Sequence, residues 1–556
     1  MPAKQILPLV LNNLGAQGLN TQASPSALDP TWLAEASNVI LDEQGRISTR
    51  KGFQQVSETL ASGIEVQSIF EYYKADGSTQ IIAGTDENIY VVNQTTDPYL
   101  LTAVTRAGTP QTITKGHWEW VNFNEKLYGV QNGHTPVYYS GTTWYDLVDL
   151  GSYNPPAGIT TFDPSCILGE YGRLWVGGMT ENNNVIYYSD TLQGDKWNTG
   201  AAGQIDLKTV WGGDSIQGIS AFEGKLVIFG EKNIAIYQNP WDPNGTDFQL
   251  QELIEGVGLK ARDSVAHMGN DLVFLSNTGV TSLSRTVLQN GSMPITNYSK
   301  NIRDELSLHI VTADMQQCKS AYCLCGGFYL LSFPDKNVAY YFDFTIKNQD
   351  GTPRVTKFNF ASGEAPHALL STVSGTLWVG RNNTGNLAQL KNYYDQFKVD
   401  VTSTYGSEGA CVAAGNTWES TRSKCWRTDD VSYDSKFKTV WLDFDNPSVA
   451  KILKKFHIVV EGGSGMDVSF TYYRDYSTIG SNQNFTLQAS ATQALWGAAT
   501  SLFGSSIYAP QPSPREYKLS LGKSAKEVQF EMSGAVKGNK ASLQNVTALA
   551  KPGKIR

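Results

Sequence analysis

One phrase occurs seven times between residues 80 and 380, and it constrains this chain more than any other feature. It is a polar turn with Gly or Asn, then an apolar run led by Leu, often closed by Gly. Five copies are clear: Asn124-Glu125-Lys126-Leu127-Tyr128-Gly129, Gly172-Arg173-Leu174-Trp175-Val176-Gly177, Gly224-Lys225-Leu226-Val227-Ile228-Phe229-Gly230, Asn270-Asp271-Leu272-Val273-Phe274-Leu275 and Gly375-Thr376-Leu377-Trp378-Val379-Gly380. Gln80-Ile81-Ile82-Ala83-Gly84 and Gly327-Phe328-Tyr329-Leu330-Leu331 are looser copies. With Ile81, Leu127, Leu174, Leu226, Leu272, Phe328 and Leu377 as equivalents, the steps run from 46 to 56 residues.

That period matches one four-stranded sheet per unit, the spacing of propeller blades. Most copies continue through a turn into a second β-rich run, such as Asn88-Ile89-Tyr90-Val91-Val92 or Ile234-Ala235-Ile236-Tyr237. Two apolar runs across a Gly/Asn turn make a hairpin. Their near-continuous apolar character suits strands covered on both faces. Composition agrees: 27 Tyr and 13 Trp favour strands, and 52 Gly supply turns. The expected fold class is all-β, a β-propeller of about seven blades. Six are possible, because the first and sixth copies are loose. An N-terminal arm and a C-terminal β-sandwich-like domain flank it.

The expected boundaries are 1–60 for the arm, 61–395 for the propeller, 396–435 for an irregular Ser/Thr/Gly-rich insertion and 436–556 for a separate C-terminal β-rich domain. In the arm, Asp29 as N-cap and Pro30 at the first helical position predict a short helix over Thr31-Trp32-Leu33-Ala34-Glu35-Ala36. Asp42-Glu43-Gln44-Gly45 predicts a tight hairpin turn. Asn301-Ile302-Arg303-Asp304-Glu305-Leu306 predicts a second short helix between the fifth and sixth copies. Beyond residue 436, alternation as in Lys455-Phe456-His457-Ile458-Val459-Val460 returns the chain to strands.

A net charge of −8 argues against a surface that grips nucleic acid throughout. The run Ile6-Leu7-Pro8-Leu9-Val10-Leu11 is too short for a signal peptide and is broken by Pro8, and no run reaches the length of a membrane span. Six scattered cysteines are too few for a disulfide scaffold and suggest a reducing compartment. Cys318, Cys323 and Cys325 are expected as buried free thiols, and a bond between Cys411 and Cys425 is not expected.

No chemical motif stands out. The chain lacks a phosphate-binding Gly-x4-Gly-Lys-Ser/Thr loop and a His-Glu-x-x-His zinc motif. Gly462-Gly463-Ser464-Gly465-Met466 misses a nucleophile elbow, because Met466 stands where the second Gly belongs. His117, His134, His267, His309, His367 and His457 are far apart, and no pair has ligand spacing. Asp242-Pro243-Asn244-Gly245-Thr246-Asp247 lacks the spaced carboxylates of a calcium loop and reads as a hairpin turn. Tyr188-Ser189-Asp190 with Gly194 and Trp197 is similar, at expanded spacing, to the Asp-box turn of sialidase-like propellers, which does no chemistry. The basic residues Lys451, Lys454, Lys455, Lys551, Lys554 and Arg556 are too sparse for a focused phosphate patch. No catalytic, cofactor-binding or metal-binding residue is assigned, no cofactor is expected, and an enzyme is not expected.

Three N-terminal stretches carry a family resemblance: Gly18-Leu19-Asn20-Thr21, Trp32-Leu33-Ala34-Glu35-Ala36-Ser37-Asn38-Val39 and Gly45-Arg46-Ile47-Ser48-Thr49-Arg50-Lys51-Gly52-Phe53. With Asp263-Ser264-Val265-Ala266-His267-Met268-Gly269 and the Ile302-Arg303-Asp304-Glu305-Leu306 segment that follows, the chain resembles the tail nozzle, or tail tubular B-type, proteins of short-tailed phages and their stabilisation-protein relatives. The resemblance implies a virion tail protein assembled in the host cytoplasm. It implies a homo-hexameric tube docked on the tail adaptor below the portal, carrying tail fibres or host-surface binders. Genomic DNA would pass through its lumen without sequence-specific binding, gated before ejection. The 396–435 segment has no place in that pattern. The alternatives are a carbohydrate- or protein-binding propeller and a sialidase-like glycan hydrolase, which needs paired carboxylates or an arginine cluster around a central funnel.

Overall fold

A computed structural model of the protein describes residues 7–11, 13–61, 63–269, 271–284, 297–324, 326–381, 385–444, 448–488 and 514–555. Ile6, Asn270, Cys325, Arg556 and the side chain of Lys554, all named above, lie outside the described residues.

The protein is all-β. Seven sheets follow one another along residues 66–390. The first comprises Val66–Tyr73, Thr79–Thr85, Ile89–Asn93 and Leu100–Ala103. The next six open on Glu119–Phe123, Cys166–Glu170, Ile216–Phe222, Ala266–Met268, Lys319–Cys323 and Pro366–Ser371. Each of the seven equivalents from Ile81 to Leu377 lies on the second strand of its sheet and is at most 4% exposed. The repeated phrase therefore marks the strand most completely covered by neighbouring sheets.

Opening strands of successive sheets lie against each other from the first sheet to the fourth, and from the fifth to the seventh. The fourth and fifth sheets share a core in which the Phe229 and Phe274 rings meet at 5.1 Å. The seventh packs back on the first, with Ala368 and Trp378 in one cluster with Val66 and Ile69. Phe53–Gln55, from the N-terminal side, pairs with Leu387–Leu390 and so belongs to the seventh sheet, not to an arm. Among the described residues, no sheet closes on itself.

Several expectations require correction. The helix predicted after Asp29 is the strand Trp32–Ser37. The Asp29 carboxylate caps only a turn, accepting from the Thr31 amide at 2.9 Å. Leu33 and Ala36 are then fully buried while the backbone pairs with Tyr433–Thr439. Tertiary pairing overrides the helix propensity of Leu-Ala-Glu-Ala. The hairpin at Asp42–Gly45 forms as expected, joining Val39–Leu41 to Ile47–Thr49. So does the second helix, as Arg303–Thr312.

The 396–435 stretch is ordered, not irregular. Asp395–Asp400, a short helix Glu408–Ala413, Thr417–Glu419 and Lys424–Val431 extend the seventh sheet beyond Phe53–Gln55. Strand pairing sets Cys425 beside the helix bearing Cys411, and the two form a disulfide with Cα atoms 5.7 Å apart. Cys323 is also disulfide-bonded, whereas Cys318 and Cys166 are buried free thiols. Spacing alone could not show which thiols the sheets bring within bonding distance.

The C-terminal region is a two-sheet sandwich, but it is not separate. One sheet holds Val449–Gly462, Pro514–Ala525 and Ala541–Ile555 together with Leu7–Leu11 and the 39–49 hairpin. The other holds Tyr433–Thr439, Val528–Val536, Asp467–Arg474 and Ser481–Thr486. Phe456, Phe470 and Phe530 meet between them at 5.4 to 5.7 Å. Through Trp32–Ser37 and Gly18–Leu19, the second sheet runs on into the sixth, giving ten hydrogen-bonded strands.

The N-terminal stretches are the joint of this arrangement. At Gly18, φ is +90° and a Cβ would strike the Val355 backbone; at Gly52 a Cβ would strike the Tyr394 carbonyl. Asn38 accepts from Arg50 Nε at 2.9 Å and donates to the Asp434 carbonyl at 2.7 Å. The Arg50 guanidinium lies 3.9 Å from the Tyr433 ring centroid and 5.4 Å from that of Phe53, beside Asp395 at 3.4 Å. Cation–π contact and the carboxylate together offset the burial of its charge.

Candidate functional site

Loops leading into the opening strands of the second, third, fifth and sixth sheets meet at one cavity. Those loops carry most of the polar residues that line it. Lys115 and His117 precede the second sheet, Ser165 the third, Lys260, Arg262 and Asp263 the fifth, and Met315 and Gln316 the sixth. With Gln131, Asn132 and Gln217 they line a cavity of about 200 Å³.

At its wall, Arg262 holds Asp263 through Nε at 2.7 Å and Nη2 at 3.0 Å. The same guanidinium donates to the Ser165 carbonyl at 2.7 Å and the His117 carbonyl at 2.8 Å, so it bridges the fifth, third and second sheets. Lys319, on the sixth sheet, pairs with Asp263 Oδ2, the oxygen that also accepts from Arg262 Nη2, and Ser320 Oγ donates to the Asp263 carbonyl at 3.0 Å. Burial opposes the ionised form of Asp263, but Arg262 and Lys319 outweigh it and hold the carboxyl well below its usual range. Burial works against the Lys319 charge and lowers that group, while Asp263 resists the change.

Burial shifts the surrounding groups towards their uncharged forms. Burial pushes Glu119 up to about 7 against the pull of Arg262, and its carboxylate accepts from the Ile167 amide at 3.0 Å. Burial, with Lys319 and His367 adding repulsion, depresses His117 to about 3. The thiol of Cys166, beside Glu119, is pushed up by burial.

The six histidines divide. His117 and His367, distant in sequence, come together with ring centroids 5.8 Å apart. His367 Nδ1 lies 3.1 Å from Glu65, although its angle makes no hydrogen bond. His134 lies against Trp118 at 5.0 Å, His267 pairs with Ser220 Oγ at 3.1 Å, His309 stacks on Phe333 at 5.5 Å, and His457 meets Glu516. Among the described residues, no three His, Cys, Asp or Glu side chains are placed to hold a metal. The Arg262–Asp263–Lys319 cluster was not legible in the sequence. Arg262 and Asp263 adjoin, but nothing in spacing ties them to Lys319, His117 or Ser165.

Other singled-out residues take local roles. Asp190 accepts from the Thr191 and Ala201 amides at 2.8 and 3.0 Å, and buried Trp197 donates to the Gly194 carbonyl at 3.1 Å, so this turn is a structural one. Asp242–Asp247 forms the turn between Asn233–Gln238 and Gln249–Glu255. Lys451 is buried, with Nζ donating to the Lys526 carbonyl at 2.9 Å, while Lys454 and Lys455 are exposed. A second cavity of about 490 Å³ lies at the Arg50 joint. Among the described residues, no helix is long and apolar enough to cross a membrane.

No family model matches the chain, and no curated protein matches it. Among solved structures, it is similar to the extracellular domain of the one component system protein BT4673 of B. thetaiotaomicron, with 13% identity and a TM-score of 0.40. The match covers 65% of this chain and 42% of that one. PorZ, a surface component of the type-IX secretion system of Porphyromonas gingivalis, matches at 12% identity and TM-score 0.37 over 60% of this chain and 38% of its own. The WD40 β-propeller domain of Doa1 matches at 12% identity and TM-score 0.35, over 60% of this chain and 95% of its own. Likeness this distant carries no inference about what the chain binds or does.

Proposed function

We propose that the seven sheets form a seven-bladed β-propeller, and that the chain is a structural part of a short-tailed phage tail, the distal tube or nozzle that conducts and gates DNA during ejection. The observation that carries this reading is the ten-stranded sheet. It joins the sixth blade, the N-terminal strands and the C-terminal sandwich by backbone hydrogen bonds. A load-transmitting subunit needs such continuity between lobes. The central charges favour a scaffold as well: Asp263 is engaged by Arg262 and Lys319, and Arg262 is itself tied to the Ser165 and His117 carbonyls of the third and second sheets.

In this reading, six copies form a tube docked on the tail adaptor below the portal. Fibres or host-surface binders attach outside, and DNA passes a lumen of acidic or neutral polar side chains. A lumen poor in Lys and Arg avoids the phosphate contacts that would slow ejection. Electron microscopy of the purified protein, alone and with tail components, tests it. The expected result is a six-fold ring of 60.9 kDa subunits. A stable monomer that never joins tail components overturns the reading, as does a strongly basic lumen. Hydrolysis of model glycosides that is lost on changing a single carboxylate overturns it in favour of an enzyme.

A further inference from the structure

The cavity where the opening strands converge has properties that a scaffold does not require. Gln131 is 2% exposed, yet its Oε1 has no hydrogen-bond partner, and His117 Nδ1 is likewise buried and unpartnered. Both line the cavity. A buried acceptor left unpaired costs free energy unless a ligand or water satisfies it. Lys115, exposed at the rim, makes no ion pair with any described residue, and Lys260 pairs only with the half-exposed Glu231 at 3.3 Å. Asp263 is already matched by two cations, so the pocket has positive charge to spare. The remaining wall is mostly amide, and an amide both donates and accepts, as a hydroxyl does. At about 200 Å³ the cavity lies below the usual range for drug-sized ligands and suits a single ring.

We propose that this cavity binds a monosaccharide-sized polyhydroxylated anion, its carboxylate or phosphate held by Lys115 and Lys260 and its hydroxyls by Gln131, His117 and the neighbouring amides. The site is formed within one chain, so it stands whether or not six copies build a tube.

Calorimetric titration of the full chain with D-glucuronate, D-glucose 6-phosphate, D-glucose and inorganic phosphate tests it. The expected result is saturable one-to-one binding of glucuronate or glucose 6-phosphate with a Kd of about 1 mM or tighter. Tighter binding of the first assigns a carboxylate ligand, and of the second a phosphate ligand. Neutral glucose and inorganic phosphate should each bind about tenfold more weakly or not at all. Lys115→Glu, at an exposed position, should weaken the sugar anion by about tenfold. Gln131→Leu should bring the sugar anion down to the affinity of the simple anion; if that variant does not fold, the Lys115 variant decides. The proposal is overturned if neither sugar anion saturates, if inorganic phosphate binds equally well, or if Lys115→Glu binds like the wild type. Assembly state, measured separately by particle mass, does not enter these outcomes.

Discussion

The seven-sheet region and the sandwich are both antiparallel β-structure, yet they are assembled in opposite ways. From the first sheet to the fifth, each sheet's three- or four-stranded core comes from one contiguous stretch, and its strands pair with their sequence neighbours. The sandwich draws on both chain ends: Leu7–Leu11 pairs with Ala541–Ile555, and Trp32–Ser37 with Tyr433–Thr439. Local pairing leaves a periodic imprint in the sequence, because each unit must solve the same burial problem. Distant pairing leaves none, because the partner strand fixes which residues are covered. Apolar clusters hold successive sheets together and the central charged cluster links four of them, while the sandwich closes on its aromatic core and meets the sheets through the ten-stranded sheet and the Arg50 joint.

Breaking the central cluster should have the largest effect. Asp263→Asn leaves Arg262 and Lys319 buried without their counter-charge, at a cost of about 3–5 kcal/mol. Chemical denaturation should show the loss, and hydrogen exchange should place it in the second, third, fifth and sixth sheets. Protection lost only in the fifth would show that the cluster does not tie the sheets together.

Leu33→Ala tests the sandwich. Leu33 is fully buried on the strand that joins Tyr433–Thr439 to the N-terminal side, and truncation should cost about 2–5 kcal/mol. Exchange should rise in both chain ends at once, although they are some 400 residues apart. A response confined to residues 32–37 would mean that the two ends are not one cooperative unit.

Removing the Cys411–Cys425 bond by Cys411→Ser opens a closure between residues 14 apart, worth about 3 kcal/mol to the segment it closes. Exchange should rise across 395–431 while the sandwich and the first six sheets keep their protection. A global fall in melting temperature of the Leu33→Ala size would contradict the placement of this segment as an appendage of the seventh sheet.

The smallest effect is a pH dependence. Glu119 is raised from 4.5 to about 7, so between those pH values the folded state keeps a proton that the unfolded state releases. Stability then falls as the pH rises from 4.5 through about 7, by about 2 kcal/mol once solvent contact is allowed for. His117, lowered from 6.5 to about 3, acts in the other direction: stability falls as the pH drops from 6.5 towards 3. Glu119→Gln should remove the loss on the alkaline side and leave the acid side unchanged, as read from denaturation midpoints at pH 4, 6 and 8. A variant whose midpoints still fall between pH 6 and 8 would place that titration elsewhere.

Much of the seven-sheet region was legible because an apolar residue near the head of each second strand, Leu in five of the seven, is buried by the same local hairpin. The short helix 303–312 and the 39–49 hairpin were legible for the same reason, their signals lying within a few residues. The Trp32–Ser37 strand was not, since its local propensity points to a helix and only Tyr433–Thr439 makes it a strand. The polar cavity was invisible as well. Lys115, His117 and Gln131 belong to the second unit, Ser165 to the third and Arg262 to the fifth, and none carries a motif.

The sequence by itself determined the β-character of the chain, the repeated hairpin and the residues buried in each second strand, because these follow from periodicity over a few residues. Only the tertiary structure decided that the two ends form one sandwich, that Cys411 meets Cys425, and that one Arg–Asp pair ties the sheets around a polar cavity. Those features depend on which distant strands share hydrogen bonds. Hydrophobic burial drives such pairings without specifying them, and the choice is made by steric and polar matches such as Gly18 against Val355 and Asn38 against Asp434.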